Sequence, residues 1–118
     1  MNIQIFGTKK CPETRKAERF FSERGVKFHF RDLGDRDQLM KKGELDNILR
    51  SVSAEDLINR EGKQYQKRNM QFMVFNIEEE LLGDQLLFRF PIVRNGKNVT
   101  VGYEPDQWQN WINEDKGK

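Results

Sequence analysis

Between Asn2 and Arg31 the apolar residues change period twice, and that change constrains the fold more than any other feature of the chain. Ile3 and Ile5 alternate with polar neighbours up to Phe6 and Gly7, as in a strand. Ala17, Phe20, Phe21 and Arg24 then recur at helical spacing, with Gly25 as a natural stop. Val26, Phe28 and Phe30 alternate with Lys27, His29 and Arg31, as in a half-buried second strand. A strand–helix–strand unit of this length predicts two parallel strands joined by a right-handed crossover.

Cys11, the only cysteine, stands at the junction of the first strand and the helix, in FGTKKCPETRKAERFF. A thiol there faces unpaired backbone N–H groups and the positive end of the helix dipole, and both favour thiolate. Pro12 suits the first helical position, where its missing N–H costs nothing. Lys9, Lys10, Arg15 and Lys16 put positive charge where a helix start prefers carboxylates. A local choice that works against helix stability and in favour of an anion reads as a site. The bland alternative is a small buried hydrophobe.

Composition narrows the function classes. The 118 residues carry 21 basic and 19 acidic side chains, a net charge of +2, which does not announce direct nucleic-acid binding. No apolar run is long enough for a membrane span, and no apolar signal region opens the sequence. One cysteine forbids an internal disulfide and suits a reducing, cytoplasmic setting. His29 has no histidine or cysteine partner in view, so no metal site is expected and His29 reads as a surface or edge residue.

Beyond Asp35 the pattern turns helical, with Leu39, Met40, Gly43, Leu45, Ile48 and Leu49 as inward positions and a break at Gly43. Ser53 reads as the cap of a short helix, residues 59–71 as a polar loop with at most a helical turn, and residues 76–82 as another helix. Leu86 to Val93 is an apolar strand region interrupted by Pro91, and Asn95-Gly96 turns it into Val99–Val101. Pro105 opens a last helix with Trp108, Trp111 and Ile112 inward. The expected class is α/β: a thioredoxin-like, four-stranded mixed sheet with flanking helices and an inserted helical segment. The whole of 1–118 reads as one domain, its core at about 1–33 and 84–116 and its helical insertion at about 34–83. Pro91, just before a late strand, is the candidate for a cis peptide beside the sulfur.

Four places together resemble the arsenate reductase (ArsC)/Spx family: Cys11 with Arg15-Lys16-Ala17, Leu57-Ile58-Asn59-Arg60 with Tyr65 downstream, Leu87 to Val93 around Pro91, and Val101-Gly102-Tyr103. The resemblance implies Cys11 as the catalytic nucleophile, with Arg15, Arg60 and Thr14 stabilising the thiolate or an anionic ligand. Arg89, Pro91 and Arg94 would supply further ligand contacts. The arginine expected directly before the proline is Phe90 here, and no arginine stands near Gly102-Tyr103, so strict arsenate specificity is not expected. Thr14 occupies the place of a redox-switching second cysteine. What remains is monothiol chemistry: no bound cofactor, a small oxyanion or thiol/disulfide substrate, and glutathione or glutaredoxin as the resolving co-substrate. The same resemblance leaves two alternatives. One is an Spx-like regulator binding the C-terminal domain of the RNA polymerase α subunit. The other is a family member that binds another protein, such as a metabolic or nitrogen-fixation partner.

Overall fold

A computed structural model describes residues 1–117; Lys118, counted in the single-domain reading, lies outside the described residues. Strand β1 (Ile3–Gly7) pairs parallel with β2 (Phe28–Asp32) and antiparallel with β3 (Ile92–Asn95), which pairs antiparallel with β4 (Asn98–Val101). The order is β2-β1-β3-β4, a four-stranded mixed sheet of the thioredoxin-like kind. Helix α1 (Pro12–Glu23) makes the crossover from β1 to β2. It ends in a Schellman turn: Val26 N–H donates to the Phe21 carbonyl at 2.9 Å and Gly25 N–H to Ser22 at 3.1 Å. Gly25 carries the left-handed φ of 68° that this turn needs.

Strand alternation divides the core into two layers. Ile3, Ile5 and Val93 face α1 and the last helix, α6 (Pro105–Lys116), where Ala17, Phe20, Phe21, Trp108, Trp111 and Ile112 close over them. Trp108 is fully buried, and its indole N–H donates to Thr100 Oγ1 at 2.8 Å. Phe6 and Ile92 point the other way, into a core built with the helical segment. That segment runs through α2 (Lys42–Ile48), α3 (Ala54–Leu57), α4 (Lys63–Lys67) and α5 (Ile77–Gly83). Ser53 caps α3 through its hydroxyl, which accepts from Asp56 N–H at 3.1 Å. His29 is exposed on β2, an edge strand.

Three expectations are corrected. The helical break falls at Leu39–Lys41, ahead of Gly43, which lies inside α2. The cause is Gln85: its buried amide accepts from Met40 N–H at 2.7 Å and donates to the Met40 carbonyl at 2.8 Å. Both backbone groups are thereby withdrawn from any helix, and Leu39 turns outward. The polar stretch after Asn59 holds more structure than a single turn, with α4 followed by a 3-10 turn at Met70–Phe72. Finally, the apolar run from Leu86 is not a strand until Ile92. Gln85–Leu87 forms a 3-10 turn, and Phe88 makes an isolated antiparallel bridge with Ile58. Asn59 N–H donates to Leu87 at 2.8 Å and Arg89 N–H to Leu57 at 2.7 Å, so this run holds the helical segment before joining the sheet. Pro91 has no N–H for a ladder, and β3 starts after it.

Candidate active site

Cys11 is the N-cap residue of α1, extended at φ −82° and ψ 117°, and Pro12 follows it at the first helical position. Its N–H donates to the Thr8 carbonyl at 3.2 Å, which closes the loop from β1 into the helix. The side chain makes no capping bond, so the sulfur, half-buried, is left to the solvent side of the helix start. Behind it, Thr14 packs on the backbone of Gly7. A Cβ at position 7 would come within 2.3 Å of Thr14 Oγ1, which is why the strand ends in glycine.

The sulfur borders an open cleft of about 630 Å³. Thr8, Lys10 and Glu13 form the wall from the cysteine loop, and Asn59 with Gly62 to Gln64 forms the facing wall. Leu86, Phe88, Arg89 and Phe90 supply an apolar floor edged by one guanidinium, while Gly102 and Tyr103 close the end. Lys10, Lys63 and Arg89 line the cleft with one carboxylate, Glu13, which is paired with Lys16 at 3.3 Å. The cleft therefore presents net positive charge above an apolar floor. That combination suits an anionic ligand with some hydrocarbon of its own. Among the described residues, no group of three His, Cys, Asp or Glu side chains is placed to hold a metal ion.

Of the residues expected at the site, Cys11 and Arg89 line the cleft. Arg60 does not. Its guanidinium is held by Glu55 at 2.6 and 2.9 Å and by the Tyr65 hydroxyl at 2.8 Å. The Arg60 hydrogen bonds keep the Glu55 carboxyl below its ordinary range. Arg15 turns back to donate to the Lys9 carbonyl at 3.0 Å. Arg94 pairs across to Gln4, toward the start of β1 and away from Cys11. Thr14 Oγ1 is buried with no partner, so the hydroxyl donates neither to the sulfur nor to its own helix. The Pro91 carbonyl accepts from Gly102 N–H at 2.8 Å, and it is Phe90 that faces the cleft. The Phe90–Pro91 bond is cis. Lys63 and Gln64 carry no sequence signal that places them at the cleft, and Asn59 and Tyr103 fall in the segments of family resemblance without a role of their own; the path of the polar stretch is set by the bridge at Ile58 and Phe88 and by long-range hydrogen bonds such as Gln64 to Asp84.

The ArsC family model matches residues 6–111, from the end of β1 into α6. The chain belongs to the ArsC family. Uncharacterized protein YusI of Bacillus subtilis (strain 168) is 28% identical to it over 120 residues, spanning 94% of this chain and 99% of its own length. Global transcriptional regulator Spx 2 of Oceanobacillus iheyensis is 26% identical over 117 residues, spanning 95% of this chain and 84% of its own. An arsenate reductase structure from Vibrio cholerae superposes with a TM-score of 0.76 at 15% identity, over 93% of this chain and 97% of that one. The last likeness is one of fold. As an ArsC-family protein the chain carries the scaffold of a thiol-dependent reductase, and its single thiol stands at the mouth of the cleft. No helix among the described residues is long and apolar enough to cross a membrane.

Proposed function

We propose that the protein is a monothiol oxidoreductase of the ArsC type that exchanges thiols with a small anionic disulfide. The observation that carries this reading is the position of Cys11: an N-cap with a free sulfur, half-exposed at a positively charged cleft. In the first step the Cys11 thiolate attacks one sulfur of the substrate disulfide. A bond forms between Sγ and that sulfur, the substrate S–S bond breaks, and the second sulfur leaves as a thiolate that takes a proton from water. An external thiolate, from glutathione or glutaredoxin, then attacks the substrate sulfur of the adduct. It forms a new disulfide and returns Cys11 as thiolate, so the electron pair comes from the external thiol. Lys10, Lys63 and Arg89 would hold carboxylates of the substrate.

Reduction of an oxyanion fits less well, because among the described residues a single guanidinium, that of Arg89, lines the cleft with the sulfur. Arg60 is engaged by Glu55 and Tyr65, and Arg94 lies at the other end of β3. The test is turnover of glutathione disulfide mixed with a peptide thiol, read by a coupled reduction assay. Cys11→Ser is expected to lose the reaction to background while its melting temperature stays within a degree or two. Turnover by Cys11→Ser would overturn the proposal.

A second reading is supported by the regulator relative. In it the same scaffold binds the C-terminal domain of the RNA polymerase α subunit without chemistry at Cys11. Stoichiometric capture of that domain by wild type and Cys11→Ser alike, with no disulfide turnover, would establish it in place of the enzyme.

A further inference from the structure

Several arginines hold a carboxylate: partly buried Arg31 holds Glu44 at 2.8 Å and Arg68 holds Glu80 at 2.7 Å, and exposed Arg60 holds Glu55 at 2.6 Å. A second group of cations, like Lys10, Lys63 and Arg89 at the thiol cleft, holds none among the described residues. At the end of the sheet opposite Cys11, a cavity of about 260 Å³ opens between the end of α2 and the β3–β4 turn. It is lined by Asn47, Arg50, Ser51, Arg94, Gly96 and Lys97, three cations with no carboxylate among them. Among the described residues, none of the three forms an ion pair.

Arg94 is the most telling of the three. Its Nε is buried without a hydrogen-bond partner, and its side-chain bond, from Nη1 to Gln4 Oε1, is long at 3.5 Å. A buried guanidinium N–H ordinarily has an acceptor. Glu44 feels the Arg94 charge through space, but its oxygens accept from Arg31 and from Lys41 N–H, and it does not line the cavity. The two walls are tied together, since the Ser51 hydroxyl donates to the Lys97 carbonyl at 2.7 Å. Like charges gathered in one concavity repel unless an anion joins them. Two guanidinium groups and an ammonium supply the charge and the N–H donors that a tetrahedral dianion takes.

We propose that this cavity binds a phosphate dianion, either free phosphate or the phosphoryl group of a phosphate monoester. The site is separate from the thiol cleft and does not depend on the reading of Cys11.

The test is a titration of the full ¹⁵N-labelled chain with sodium phosphate against sodium chloride of matched ionic strength, followed by amide chemical shifts. The expected result is saturable shifts at Asn47, Arg50, Ser51, Gly96 and Lys97 with phosphate and not with chloride. Arg94→Gln is expected to weaken binding at least tenfold. Arg50→Gln and Lys97→Gln, on exposed side chains that leave the fold untouched, should weaken it several-fold each. A parallel titration with a phosphoserine peptide separates the sources. Tighter binding of the peptide assigns a monoester, and binding of inorganic phosphate as tight or tighter assigns the free ion. Shifts that rise linearly and match those of chloride would overturn the proposal. So would saturable shifts confined to Thr8, Lys10 and Cys11, or unchanged affinity in all three variants.

Discussion

At the scale of single residues, the candidate site rests on a few side chains whose surroundings differ from what their identities suggest. Cys11 could be picked out from the sequence because a helix start is a local pattern: an extended residue, a proline, and a run of helical spacing. The roles of its neighbours could not, since where Arg60 and Arg94 point is decided by Glu55, Tyr65 and the β1–β3 register. Thr14 is the clearest instance. Its hydroxyl, expected at the thiolate, is buried against Gly7 with no partner. A buried hydroxyl without a hydrogen bond costs about 1–3 kcal/mol. Thr14→Val is therefore expected to raise stability by about 1 kcal/mol in denaturant melts, with disulfide exchange unchanged. A loss of exchange in that variant would restore the hydroxyl to the chemistry.

At the scale of elements, the strand–helix–strand unit and the hairpin were readable because their periods and turn residues are contiguous in sequence. The break before α2 was not, because a side chain 45 residues away makes it. Gln85→Ala would leave the Met40 N–H and carbonyl buried and unpaired, at a cost of roughly 2–4 kcal/mol. The corresponding measurement is a urea midpoint that falls with an unchanged slope. Arg31 of β2 fastens the same region by reaching the Gln38 and Leu39 carbonyls and Glu44 of α2. Desolvation pushes the Glu44 carboxyl up, but the Arg31 and Lys41 hydrogen bonds outweigh it and leave the group below its ordinary value. A carboxyl depressed in the folded state stabilises above its unfolded pKa, and that contribution is lost as pH falls through the folded value. Stability should thus decline on acidification below the ordinary glutamate range. Glu44→Gln should flatten that part of the profile.

At the scale of the whole molecule, the cleft lies between two bodies of structure that the sequence keeps far apart. Cys11 and Lys10 come from the β1–α1 loop, Lys63 and Gln64 from the helical segment, and Tyr103 from the stretch before α6. No local pattern could reveal such a convergence, although the four strands that carry it were legible. If the positive charge of the cleft draws in an anionic disulfide, Lys63→Glu should slow exchange by roughly three- to tenfold at low ionic strength. The deficit should shrink as salt is added, because the side chain acts through its field. An unchanged rate at every salt concentration would remove Lys63 from substrate capture.

The bridge between Ile58 and Phe88 has a consequence for how such a protein can change over generations. Its two flanking hydrogen bonds, Asn59 to Leu87 and Arg89 to Leu57, gather the chain between them into a closed excursion. Insertions, deletions or substitutions at its exposed positions, away from Gln85 and the buried side chains that pack with Phe6 and Ile92, need not disturb the register of β1 with β3, nor the loop that carries the thiol. The wall facing Cys11 is thus a replaceable part. A lineage could exchange one wall for another, and so one clientele for another, while inheriting the sulfur and its helix intact.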